Sequence, residues 1–171
     1  GYYENYTGMN ADNSAPLFSC IFYLSGIVDG DEMDIITHYP NDIQQINGKL
    51  KIVSSTEVEI YLTEEHGGCF NVQHFSDEPV KFELEEASEA IRISYVAVKR
   101  AFLYKERKAL EKSSGYLIER DVIFIDKIDG DWCHGTFNGE SVSSGWVKSE
   151  DLRPVFIATK DNGAAVKGGD S

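Results

Sequence analysis

The chain has 171 residues, a formal net charge of −13, and 42% hydrophobic and 26% charged residues. This is the composition of an ordinary globular protein, with length for one large domain or two small ones. The charge disfavours nucleic-acid phosphate and anionic membrane surfaces, suits a basic partner and promotes solubility, and no apolar run approaches the length of a membrane span.

Residues 1–16 are polar and aperiodic, with Tyr2, Tyr3 and Tyr6 interspersed, and read as an irregular arm. Leu17 to Val28 reads as a strand, turned back at Asp29-Gly30 into a second strand, Glu32 to Tyr39. Asn47-Gly48 is a strong hairpin signal ahead of Lys49 to Ser54. Glu57 to Thr63 alternates, with Val58, Ile60 and Leu62 on one face and Glu57, Glu59 and Tyr61 on the other, the pattern of a half-buried strand. Cys69 to Phe75 and Val80 to Glu85 read as two more strands, and Glu85 to Ala90 as a short helical turn. Strands at roughly ten-residue spacing predict an all-β unit over residues 17–90. A small sandwich and an open barrel both fit, and a sandwich-like unit is the expectation. Cys20 and Cys69 both lie on apolar strands of this unit, so they are expected to be close, and bonded if the protein is exported. Cys133 lies outside it.

A second unit is expected over residues 91–157, with a boundary at Ser88 to Ser94. Ile91 and Ile93 make that boundary a poor flexible linker, so the units should pack together. The apolar run Tyr95 to Tyr104 opens the unit, and a charged loop, Lys105 to Ser114, follows. Tyr116 to Ile118, Val122 to Ile128, Trp132 to Phe137 and Gly145 to Val147 read as short strands. Asp129-Gly130 and Asn138-Gly139 are turns, and Ser149 to Leu152 can form one helical turn. Five short strands punctuated by Gly-containing turns predict a small closed β-barrel. Phe156 to Thr159 can add an edge strand, and residues 158–171 read as a tail.

The order Ala101-Phe102-Leu103-Tyr104, Tyr116-Leu117-Ile118, Asp121-Val122, Gly130-Asp131-Trp132, Gly145-Trp146-Val147 and Asp151-Leu152 resembles the bacterial SH3-like (SH3b) domains. The resemblance covers roughly the last third of the chain before the tail and implies an SH3-like barrel. It also implies binding of a cell-wall peptide or a protein partner outside the cytoplasm, in the periplasm or beyond. The chain departs from eukaryotic SH3 domains. Lys148 and Asp151 stand where a proline and a tyrosine would complete a proline-motif groove, and Lys105 to Lys112 replaces the acidic loop.

The sequence has no phosphate loop, no dinucleotide fingerprint, no HExxH helix and no GxSxG elbow, and it implies no cofactor. Adjacent Cys133 and His134 point to opposite faces of a strand, so they cannot form a thiolate pair, and Cys133 reads as a small filler behind Trp132. Glu64, Glu65, His66, Cys69 and His74 are too loosely spaced for a zinc site, and His66 reads as half-exposed on a solvated loop. The expected ligand surface is aromatic with an acidic rim: Trp132, Tyr104, Tyr116 and Trp146 with Asp129 and Asp131. Trp132 is expected beside the groove and Trp146 partly in the barrel core. The acidic stretch Glu78 to Glu89 is a further candidate. The expected function is non-catalytic binding in the bacterial cell envelope, of a protein partner or a cell-wall peptide, for example as an acidic inhibitor or immunity protein. A cell-wall hydrolase, or an accessory module of one, is the alternative.

Overall fold

The computed structural model describes residues 1–8, 16–27, 29–40, 42, 44–107, 115–139 and 141–155. Among them the protein is all-β, with short strands, two single 3-10 turns and no α-helix. The expected edge strand at Phe156 to Thr159, the tail, and positions 108–114 of the charged loop lie outside the described residues.

The first six strands are β1 (Tyr2–Thr7), β2 (Phe18–Gly26), β3 (Glu32–His38), β4 (Gln45–Ile52), β5 (Glu57–Leu62) and β6 (Val80–Glu83). Each pairs antiparallel with the next in one continuous sheet. Alternation sets its faces: Met33, Ile35 and Thr37 are buried on β3 while Glu32 and Asp34 are exposed. The sheet curls into a half-barrel around Cys20, Phe22, Ile35, Ile46, Ile60, Leu62 and Phe75. Its two edges meet over that core, where Tyr3 of β1 lies edge-on to Phe82 of β6, with ring centroids 5.8 Å apart. The unit thus encloses its core with one curled sheet, the open-barrel solution, instead of two facing sheets.

Four local expectations are corrected. The arm at residues 1–16 contains β1, paired along its length with β2 from Tyr2↔Tyr23 to Thr7↔Phe18. Its polarity reflects a strand with one apolar inward residue, Tyr3, between outward Tyr2 and Glu4. Asn47-Gly48 is not a turn but the middle of β4. A Cβ at Gly48 would stand 2.5 Å from the Tyr61 carbonyl and 2.6 Å from Leu62 Cδ2, so this glycine permits close approach of β5. Cys69 to Phe75 is not a strand. Cys69–Asn71 forms a 3-10 turn, held by the Cys69 N–H to the His66 carbonyl at 2.8 Å. Residues 84–90 are non-helical and carry no helical turn. Ala and Glu propensity is too weak to nucleate one without an apolar face to bury.

The second set of strands is β7 (Arg92–Val96), β8 (Arg100–Phe102), β9 (Tyr116–Ile118), β10 (Val122–Asp129), β11 (Trp132–Asn138), β12 (Val142–Lys148) and β13 (Leu152–Pro154). Five form a sheet in the order β12-β11-β10-β7-β13, and β8 pairs with β9. Gly130, at φ +59°, makes the β10–β11 turn, and a β-bulge lies between Ile125 and Lys127. Tyr104 exchanges both backbone hydrogen bonds with Trp146, each at 2.8 Å. This bridge ties the segment after β8 to β12 and makes the unit partly barrel-like around Val96, Leu103, Leu117, Ile123, Ile125, Cys133 and Val147.

A third apolar cluster joins the sheets. Tyr23 of β2 packs with Val122, Val155, Ile93, Tyr95 and Phe124. Its ring stacks on Tyr95 at 5.6 Å.

Cys20 and Cys69 are bonded, with Cα atoms 4.4 Å apart, and clamp the 3-10 turn to β2. Their separation of 49 residues corresponds to about 4 kcal/mol in the chain-entropy description. Reduction should therefore lower the guanidinium unfolding midpoint. Alkylation of denatured, unreduced protein, read by mass spectrometry, should label Cys133 alone; labelling of Cys20 or Cys69 would contradict the bond.

His66 is buried, not half-exposed as expected, because Phe22 stacks on its ring at 5.1 Å. The Thr37 hydroxyl donates to the Ile46 carbonyl at 3.1 Å, which leaves its oxygen to accept from His66 Nε2 at 2.8 Å. Burial pushes the His66 pKa down, and His38 adds to the shift. A depressed folded pKa means that the unfolded chain takes up the proton first, so stability should fall as pH drops below about 6.5. Thermal melts between pH 8 and 5 should show this fall, and His66→Gln should reduce it, leaving the part due to His38, whose pKa burial also lowers.

Candidate functional site

On β11 and β12, Cys133, Gly135, Gly145 and Val147 are buried inward. Trp132, His134, Trp146 and Lys148 therefore share the outward face, in the register Trp132↔Lys148 and His134↔Trp146. Tyr104 meets Trp132 edge-on, with centroids 5.0 Å apart. Asp131, Trp132, Lys148, Ser149 and Glu150 line a groove of about 420 Å³. The Ser149 N–H donates to the Asp131 carbonyl at 2.8 Å and fixes one wall, while Lys148 Nζ pairs with Glu150 at 3.2 Å. Trp132, Tyr104 and Asp131 thus come together. Asp129 is ion-paired with Arg107, so its charge is largely compensated. Tyr116 has different neighbours, Phe102 at 6.2 Å and the Arg100 guanidinium at 4.8 Å. Trp146 is not barrel core. Strand alternation turns it outward, edge-on to His134 at 5.2 Å with Lys127 Nζ 5.9 Å from its ring. The stretch Glu78 to Glu89 comprises β6 and the exposed segment after it, where Leu84 is 55% exposed.

The outward face also carries an arrangement that the sequence did not signal. Asp126 accepts from His134 Nδ1 at 2.8 Å, and His134 Nε2 lies 3.4 Å from Ser144 Oγ. The three residues come from β10, β11 and β12, and only the register aligns them. Their order is that of a serine-hydrolase relay. Acyl transfer also needs donors aimed at the oxyanion, whereas the N–H groups of a strand lie in the sheet plane, away from its side chains.

Cys133 is fully buried, with Arg92 Nη2 at 3.0 Å and Ser149 Oγ at 3.3 Å from its sulfur. It faces inward while His134 faces outward. In the first unit Cys69 is consumed by its disulfide. Glu65 Oε1 accepts from the Phe75 and Ser76 N–H groups at 2.6 and 2.7 Å, and from the Ser76 hydroxyl at 2.8 Å, so it pins a loop. Among the described residues no cluster of three or more His, Cys, Asp or Glu is arranged to hold a metal.

A larger concave surface, of about 750 Å³, lies between the two sheets and includes Tyr2, Glu4, Tyr6, Tyr23, Arg120 and Asp121. None of these was among the expected site residues. The one signal for it in the sequence is the alternation of Tyr2, Glu4 and Tyr6, which sets all three on one face of β1 once that stretch is a strand. Its other wall comes from the turn before β10, more than a hundred residues away in sequence, and no local pattern joins the two.

Among the described residues no helix is long and apolar enough to cross a membrane. No family model, curated protein or solved structure matches this chain.

Proposed function

We propose that this is a non-catalytic binding protein of the bacterial cell envelope, periplasmic or otherwise exported, whose second unit is an SH3-like module recognising a basic protein partner. An acidic inhibitor or immunity protein that covers a basic hydrolase or toxin is the specific form of this reading. The observation that carries it is the Tyr104–Trp132 edge-on pair at 5.0 Å, set beside Asp131 and Glu150 in a chain of net charge −13. Half-buried aromatics of this kind supply binding strength, and the surrounding carboxylates steer a basic partner and raise its association rate. A cell-wall peptide is the other ligand this groove suits. The Asp126–His134–Ser144 contact favours one competing reading, a cell-wall hydrolase.

In a pull-down from envelope extract followed by binding kinetics, Trp132→Ala should weaken the captured partner by about 2 kcal/mol or more. Unchanged affinity in the folded variant would remove the groove from the reading. Neutralising Asp131 and Glu150 together should slow association mainly at low salt, because about 0.15 M salt limits the reach of exposed charge to about 8 Å. Turnover of purified peptidoglycan by the wild type, lost in Ser144→Ala, would replace the binding function with hydrolysis.

A further inference from the structure

Glu4 sits on the outward face of β1, opposite Ile21 of β2, in the cleft between the two sheets. The hydroxyls of Tyr2 and Tyr6 flank it and both donate to one carboxylate oxygen, Oε2, the Tyr6 bond at 3.0 Å. Two tyrosine hydroxyls thus hold the carboxylate in place through one of its oxygens.

The opposite wall carries Asp121, which accepts from the Ile118 N–H at 2.8 Å. Burial raises the Asp121 pKa, the Ile118 bond opposes the shift, and the charge of Glu4 adds to it, so the two carboxyl groups sense each other across the cleft. Tyr23 lies between these walls, 1% exposed, and its hydroxyl has no hydrogen-bond partner among the described residues. An unpaired buried hydroxyl is destabilising, and a ligand donor or acceptor would relieve it. Glu4, Glu119 and Asp121 outnumber Arg120 among the charged lining residues. Arg120 itself has φ +79°, a left-handed conformation that is strained for a side-chain-bearing residue. At about 750 Å³ the cleft is within the range of ligand sites, roughly 300–1,000 Å³, and can admit an extended side chain with its flanking backbone.

We propose that this cleft is a binding site for a cationic side chain, the ammonium or guanidinium of a lysine or arginine on an extended peptide segment of a partner protein. Tyrosine faces attract a cation through their quadrupoles, and a carboxylate at the centre fixes its position. The proposal rests on the basic-partner reading for the source of the peptide, but it places the contact on a different surface from the Trp132 groove.

The test is calorimetric titration of the full chain at low salt with capped tri-lysine and tri-arginine, against tri-glutamine and a chitin trisaccharide. Glu4→Gln keeps an acceptor for both tyrosine hydroxyls and removes the charge; it should weaken the cationic peptides about tenfold. Asp34→Asn changes the net charge equally at a side chain that is 92% exposed and should leave affinity within about twofold. Arg120→Gly relaxes the left-handed turn and removes a competing cation, so it should tighten binding. Equal effects of Glu4→Gln and Asp34→Asn would reduce the binding to general charge attraction and overturn the site. Preference for the trisaccharide, indifferent to Glu4→Gln, would overturn it in favour of a glycan. Loss of peptide binding in Trp132→Ala, with Glu4→Gln unaffected, would sink the cleft and leave the basic-partner reading standing. Absence of binding by either cationic peptide would sink both.

Discussion

Phe22 and Tyr23 are adjacent on β2 and both fully buried. Adjacent side chains on a strand point to opposite faces, so β2 needs cover on both sides. The curled sheet covers one side and packs Phe22 against Tyr3 and Phe75. The second unit covers the other, where Tyr23 stacks on Tyr95 beside Val122 and Val155. The curl of the first sheet, the contact between the units and the cleft beside that contact follow from this double burial. Cys20 lies two residues before Phe22, on the same face, and its bond to Cys69 clamps the 3-10 turn against the same strand.

The two units divide their surfaces in different ways. On the outward face of β11 and β12 the aromatic residues stand on regular strands, with Tyr104 bridged to Trp146 through the backbone. Strands with complete ladders hold such side chains in place at little entropic cost, which suits a preformed binding surface. The cleft is built from two walls that meet only through tertiary packing, so its width depends on how firmly Tyr23 and Tyr95 hold the units together. A ligand across it would add contacts to both walls and stiffen that junction.

Buried polar groups mark where packing and polarity conflict. Glu65 Oε1 accepts from the Phe75 and Ser76 N–H groups, and Thr37 relays between Ile46 and His66. Tyr23, Glu65, Arg92 and Ser94 each keep a buried polar atom without a partner among the described residues. Tyr23 faces the junction between the units, whereas Glu65 lies in the first unit and Arg92 reaches Cys133 in the core of the second. Such groups are costly in a static fold and usable at a site that recognises a ligand.

The sequence by itself determined the all-β class and most strands after the first, because strict alternation in stretches such as Glu57 to Leu62 leaves one face to bury whatever packs on it. It also brought Trp132 beside Asp131 and the Asp129-Gly130 turn, since these are neighbours along the chain. Tertiary structure alone decided the rest. β1 became a strand because β2 offered a free edge, and polar Tyr-Glu-Tyr spacing has no meaning until that edge exists. Gly48 became a strand residue because β5 approaches too closely for a Cβ, where the local code of Asn-Gly says turn. His66 went inside because Phe22 lay over it. Trp146 went outward because register, not hydrophobicity, assigns faces on β12. The cleft and the Asp126–His134–Ser144 alignment unite residues from separate strands, and a linear pattern carries no information about which distant segments a register will bring face to face.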